Sequence, residues 1–212
     1  MATALSPERD EARETLLSVL CTKDNWTPQE TALYTSIAFR EDGVGFLKFS
    51  NDQPGALLAC EFSWEFGEPT TSQMLVNTRQ KDLEDSLRTR QLGRFRIDIT
   101  LRDCQPREEF GCSKEMDIKE AISRRLKETA FEEESFFVRL EVGNFSPDSD
   151  TSLPGSEQYG RTRWGLRLAF DRSPAPSREK WHDGFQGMLE AMNLESETNW
   201  FSRKLDGSWT GT

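Results

Sequence analysis

Leu58-Ala59-Cys60-Glu61-Phe62-Ser63-Trp64-Glu65-Phe66 and Phe95-Arg96-Ile97-Asp98-Ile99-Thr100-Leu101 set apolar side chains against polar or charged ones with a period of two. Successive side chains of a strand point to opposite faces, so this is the pattern of an antiparallel sheet with one dry and one wet face. A slip of one residue would carry Phe and Trp into water, which ties each strand to one register. Residues 136–142 and 164–170 repeat the alternation. Two further strand-like runs, residues 32–40 and 44–50, flank Glu41-Asp42-Gly43, and Asp-Gly between such runs signals a hairpin. Asn51-Asp52-Gln53-Pro54-Gly55 adds a second turn, so a three-stranded meander is expected here. Met74-Leu75-Val76 reads as a short strand, and Leu83 and Leu87 as one face of a modest surface helix.

Helical spacing occurs in three places. Ser6-Pro7-Glu8 opens a helix by its cap, its proline and its acid, and Ala12, Leu16, Val19 and Leu20 continue it to about Cys21. Ile118, Ala121, Ile122 and Leu126 share a face of an inserted helix over 113–131. Ser177 caps a last helix carrying Trp181, Phe185, Met188, Leu189 and Met192. Residues 22–31 read as a connection, residues 146–160 as a mobile loop and candidate gate, and the tail after Glu195 holds Trp200, Phe201 and Trp209.

The fold expected from these elements is mainly β within the α+β class. It is a single antiparallel β-barrel or a strongly curved sheet with about three flanking helices. A single domain spans 1–212: residues 1–31 form an N-terminal helix and connection, 32–171 the β core with its inserted helix 113–131, and 172–212 a C-terminal helix and aromatic tail. Strands and helices do not alternate regularly, which disfavours a parallel doubly wound sheet. The barrel is preferred because closure removes exposed strand edges.

Charge narrows the partners. Thirty-seven acidic and 27 basic residues among 212 leave a net charge of -10, a field that opposes nucleic-acid phosphates and anionic membranes. No apolar run has the length of a membrane span, and residues 1–10 lack the basic and apolar regions of a secretory signal. A cytoplasmic protein is expected, with the nucleus as the alternative. Cys21, Cys60, Cys104 and Cys112 then read as free thiols.

The chemistry-bearing residues are few. His182 is the single histidine, so neither a multi-histidine metal site nor a histidine-based dyad elsewhere is available, and it reads as a surface residue. Cys104 and Cys112 match no zinc or redox spacing, and Gly43-Val44-Gly45 lies in a hairpin rather than before a helix, a poor phosphate cradle. No metal and no cofactor are expected, and catalytic residues are not identifiable. On the wet face Arg96, Asp98, Arg139 and Glu141 read as cross-strand ion pairs, with an acid–base pair as the sharper alternative. On the dry face Cys60, Phe62, Trp64, Phe95, Ile97, Phe136, Val138, Trp164 and Leu166 are the candidate lining of a ligand pocket. A filled core is the commoner fate of such a set.

Phe39-Arg40-Glu41-Asp42-Gly43-Val44-Gly45, the segment 59–66 and Phe137-Val138-Arg139-Leu140-Glu141-Val142-Gly143-Asn144-Phe145 resemble uncharacterised proteins of filamentous fungi. The resemblance implies an intracellular fungal protein and carries no catalytic residues with it. The strand count is also similar to that of calycin or lipocalin-like barrels, an analogy of architecture alone. Two functions follow as expectations. One is a soluble barrel binding a small apolar or aromatic molecule, either as a carrier or as a cofactor-independent cyclase or isomerase. The other is a protein-interaction module or homodimer that docks through the last helix and Trp200, Phe201 and Trp209.

Overall fold

The computed structural model describes residues 13–28, 35–50, 56–78, 89–104, 124–145, 163–186 and 194–205. The strands are β1 (Arg13–Thr15), β2 (Ser36–Phe39), β3 (Val44–Ser50), β4 (Ala56–Phe66), β5 (Leu75–Asn77), β6 (Arg90–Leu101), β7 (Glu134–Phe145), β8 (Trp164–Phe170) and β9 (Asn199–Lys204). Seven form one sheet in the order β2-β3-β4-β6-β7-β8-β9, with every neighbour antiparallel; β1 and β5 pair apart from it.

The expected meander is β2-β3-β4. Its first turn is held by Gly43, whose φ of 76° suits a residue without Cβ. Asp42 Oδ1 accepts from the Val44 amide at 3.1 Å, and the Arg40 amide donates to the Val44 carbonyl at 2.9 Å. The short strand at Met74-Leu75-Val76 is also present, as β5. β6 begins at Arg90, five residues before its clear alternation starts.

The sheet is not a closed barrel, because β2 and β9 do not pair with each other. Residues 26 and 27 touch both edges instead. Trp26 and Ile37 exchange backbone hydrogen bonds at 2.9 Å, and Thr27 and Phe201 exchange theirs at 3.0 and 2.7 Å. Residues read as a bare connection therefore cover the amides that two edge strands would otherwise expose.

Helix content departs from the expected count. Among the described residues, the one α-helix with both ends in view is α1 (Leu16–Leu20), capped by the Thr15 side chain, which accepts from the Ser18 amide. It starts later than the Ser6 cap implied because β1 occupies residues 13–15; residues 1–12 lie outside the described set. Of the inserted helix only 124–125 are described as helical; Leu126 forms a bridge to Trp181, and Glu128–Phe131 is a 3-10 turn. The last helix does not form over residues 177–185. Two 3-10 turns, Arg178–Lys180 and Asp183–Phe185, flank an extended Trp181. Trp181 is fully buried and its indole donates to the Pro176 carbonyl at 2.9 Å, so a long-range pairing overrides the local helical period. The mobile loop 146–160 and the helix around Leu83 and Leu87 lie outside the described residues.

The core gathers on the dry face. Phe39 meets Phe62 and Trp64 edge to face at 5.5 and 5.3 Å, Trp64 meets Phe66 at 5.3 Å, and Phe66 meets Phe95 at 5.5 Å. Each such pair is worth about 0.5–1.5 kcal/mol beyond its buried area. Trp26, Trp181 and Trp200 are wholly buried. The tail expected after Glu195 is instead a strand at this point: Trp200 and Phe201 belong to β9 and are buried, which withdraws both side chains from a docking surface. Trp209 lies outside the described residues.

Candidate functional site

β6 and β7 supply the floor of the site. Their register places Arg94 opposite Arg139, Arg96 opposite Phe137 and Asp98 opposite Ser135, all on the wet face. The alternation that buries Phe136 and Val138 forces Phe137 outward, and it is 49% exposed. Its ring is covered on one side by the Arg94 guanidinium, 5.6 Å from the ring centroid.

The rim comes from the 3-10 turn Pro69–Gln73 after β4. The Gly67 amide donates to the Arg96 carbonyl at 2.9 Å, docking the turn on β6. A Cβ at Gly67 would lie 2.4 Å from Arg96 Nε, so the absence of a side chain lets Arg96 lie against the turn. Between turn and sheet is a cleft of about 380 Å³ lined by Gly67, Glu68, Thr71, Arg94, Phe95, Arg96 and Phe137.

Arg96 is oriented by the Asp98 carboxylate at 2.9 Å, and Asp98 in turn accepts from the Ser135 hydroxyl. Asp98 is buried, as are Glu61 and Glu141 on the same face. They are not the solvated ion pairs expected. Long arginine stems cover them: Arg102 approaches Glu61 at 3.7 Å, and Arg167 binds Glu141 at 2.6 Å while lying 4.6 Å from the Phe145 ring centroid. Arg139 approaches Glu141 at 3.8 Å. Among the described residues Arg94 has no carboxylate within ion-pair distance, although it stands in register with another arginine.

A second, more open cleft of about 600 Å³ is lined by Lys23, Asp24, Asn25, Thr27, Trp164 and Arg203. Arg203 is the one non-glycine residue with positive φ, 57°, among the described residues. Its guanidinium is held by both oxygens of Glu14 at 2.7 Å and by the Thr78 hydroxyl. That carboxylate already neutralises Arg203, one of the two cations lining this opening.

All nine candidate pocket residues are buried. Cys60, Phe62, Trp64, Phe95, Ile97, Phe136, Val138 and Leu166 belong to the main core, and of these Phe95 also reaches the first cleft. Trp164 does not join that core. It packs with Phe145 and Phe201 in a separate cluster and faces the second cleft. Phe137 is absent from that set, although Phe136-Phe137 carries the signal: of two adjacent aromatics in a strand, one must face the wet side.

Thiol and histidine chemistry gain little here. Burial, with Cys104 and Glu61 nearby, pushes the Cys60 thiol well above its ordinary range. His182 is exposed, in extended backbone just before the Asp183–Phe185 turn. No group of three His, Cys, Asp or Glu side chains among the described residues is placed to hold a metal ion, and no described helix is long and apolar enough to cross a membrane. No family model matches the chain, and neither a curated protein nor a solved structure matches it.

Proposed function

We propose that the protein binds a small aromatic molecule in the cleft between the Pro69–Gln73 turn and the β6–β7 pair. One observation carries this reading: Phe137, an aromatic ring about half exposed on an otherwise polar sheet face, lines a 380 Å³ cleft that Phe95 also lines. Ligand clefts combine apolar walls with a few polar anchors, and here Thr71, Glu68, Arg94 and Arg96 are the polar groups. The cleft differs from the interior pocket expected of a barrel, since the aromatic residues of the dry face contact one another. Trp26 and Thr27, bonded to both sheet edges, support reading the architecture as a calycin-like barrel joined through a third segment. A place in fungal metabolism rests on the sequence resemblance alone. The proposal concerns binding and assigns no catalytic step.

The test is titration with N-phenyl-1-naphthylamine, an uncharged aromatic dye whose emission rises when it leaves water. Saturable one-to-one enhancement is expected, weakened about tenfold by Phe137→Ala through loss of a ring contact. Absence of saturable binding, or identical binding by the variant, would overturn the reading.

A further inference from the structure

We infer that the ligand of this cleft is an aromatic anion, its negative group held by Arg94 and Arg96 while its ring lies on Phe137. The inference rests on the binding reading above and adds the ligand's charge. Its basis is an electrostatic imbalance in one small area.

Arg94 and Arg139 are direct register partners on one face of an antiparallel pair, an arrangement that is destabilising by like-charge repulsion. Arg139 finds Glu141 at 3.8 Å and Arg96 finds Asp98 at 2.9 Å. Arg94 instead lies over the Phe137 ring, with no carboxylate within ion-pair distance among the described residues. Two guanidiniums and an exposed ring thus converge on one cleft in a chain whose net charge is -10. A guanidinium presents a planar fork of donors suited to a carboxylate, sulfonate or phosphate, and the adjoining ring suits a planar body. Thr71 lines the same cleft and its hydroxyl offers a donor, whereas the charge of Glu68, another lining residue, opposes an anion. Glu68 therefore confines the negative group to the arginine side and leaves the neutral part of the ligand toward the turn.

The chemistry excludes a cation as the preferred ligand. A cation in the cleft would meet repulsion from both Arg94 and Arg96, and a purely apolar ligand would have to desolvate Arg94 without replacing its hydrogen bonds.

Two dyes that differ by one group test this directly: 8-anilino-1-naphthalenesulfonate and N-phenyl-1-naphthylamine, which lacks the sulfonate. The sulfonate is expected to bind about tenfold more tightly, as one charge-assisted contact would give. Arg94→Gln, at an exposed position, is expected to remove that advantage, read as the ratio of the two dyes' affinities in the variant, with a urea midpoint no lower than the parent's as the control for folding. Raised salt should weaken the sulfonate alone. Equal affinities for the two dyes, or a preference for the sulfonate that survives Arg94→Gln, would overturn the inference while leaving the aromatic-binding reading in place. Failure of both dyes to bind would remove that reading, and the inference with it.

Discussion

Thr27 and Phe201, near opposite ends of the chain, exchange both of their backbone hydrogen bonds, at 3.0 and 2.7 Å. The preceding residue, Trp26, does the same with Ile37 on the far edge strand of the sheet. Its buried indole is anchored on the Leu20 carbonyl at 3.0 Å, which ties this link to the end of α1. The connection is thus a structural clamp. Thr27→Pro removes the donor to Phe201 and is expected to lower stability by about 1–3 kcal/mol, because the Phe201 carbonyl loses its partner. Thr27→Ala keeps the backbone and should stay within about 0.5 kcal/mol of the parent. Urea unfolding of both variants distinguishes a backbone clamp from a side-chain contact.

Gly45 marks a close approach between β3 and the core. A Cβ there would lie 2.1 Å from two ring carbons of Phe62 and 2.7 Å from the Ala38 carbonyl oxygen. The ring could turn aside only by disturbing its edge-to-face contact with Phe39, and the carbonyl belongs to the adjoining strand. Gly45→Ala is therefore expected to cost about 1–3 kcal/mol through overpacking, read as a lower thermal midpoint with unchanged far-ultraviolet circular dichroism.

Gly45 also shows what the sequence made legible. The alternations of β4, β6, β7 and β8 were readable because a strand repeats every two residues wherever it stands, and so was the turn at Asp42-Gly43. Packing between strands was not. Glu61, Asp98 and Glu141 fall on the wet side of the pattern yet are buried, since periodicity marks a face but not the arginine stems that cover it. Trp181 and Trp200 sit in segments whose partners, Leu126 and Leu168, lie far away in sequence. Local spacing favours a helix for the first and an aromatic docking tail for the second. The cleft itself needed the turn after β4 to fold back on Arg96, a contact no local pattern encodes.

Two thiols, one buried and one half-buried, give a chemical test of the packing. Cys60 is wholly buried, and Cys21 is pushed up to about 12 by burial, with the charges of Glu41 and Asp42 adding to it. Only the thiolate is the nucleophile. At pH 8 in the native protein, alkylation of both residues by iodoacetamide should run roughly 100-fold or more slower than in urea. Peptide mapping by mass spectrometry after timed quenching reads the two sites separately. Native labelling of Cys60 at the rate seen in urea would contradict its burial on β4, where it pairs with Leu47 of β3.

Glu14 and Arg203 couple stability to pH. Hydrogen bonds from Arg203 hold the Glu14 carboxyl below its ordinary value of 4.5, outweighing the burial that raises it, and the Thr78 hydroxyl acts in the same sense as Arg203. A carboxyl whose pKa is lower in the folded state binds its proton less readily there than in the unfolded chain. The stability this adds is complete above the unfolded value near 4.5 and is lost as the pH falls through the lower folded value. Glu134 behaves alike: burial raises its pKa, but Lys180 and Arg172 outweigh burial and leave it lowered. Arg203→Gln should therefore reduce the urea midpoint at pH 7, and the gap from the parent should narrow steadily between pH 5 and pH 3 as Glu14 protonates in both proteins. Glu134 titrates equally in parent and variant, so the narrowing reports Glu14. A gap that stayed constant over this range would mean that Arg203 stabilises β9 through packing of its stem, with its charge contributing nothing.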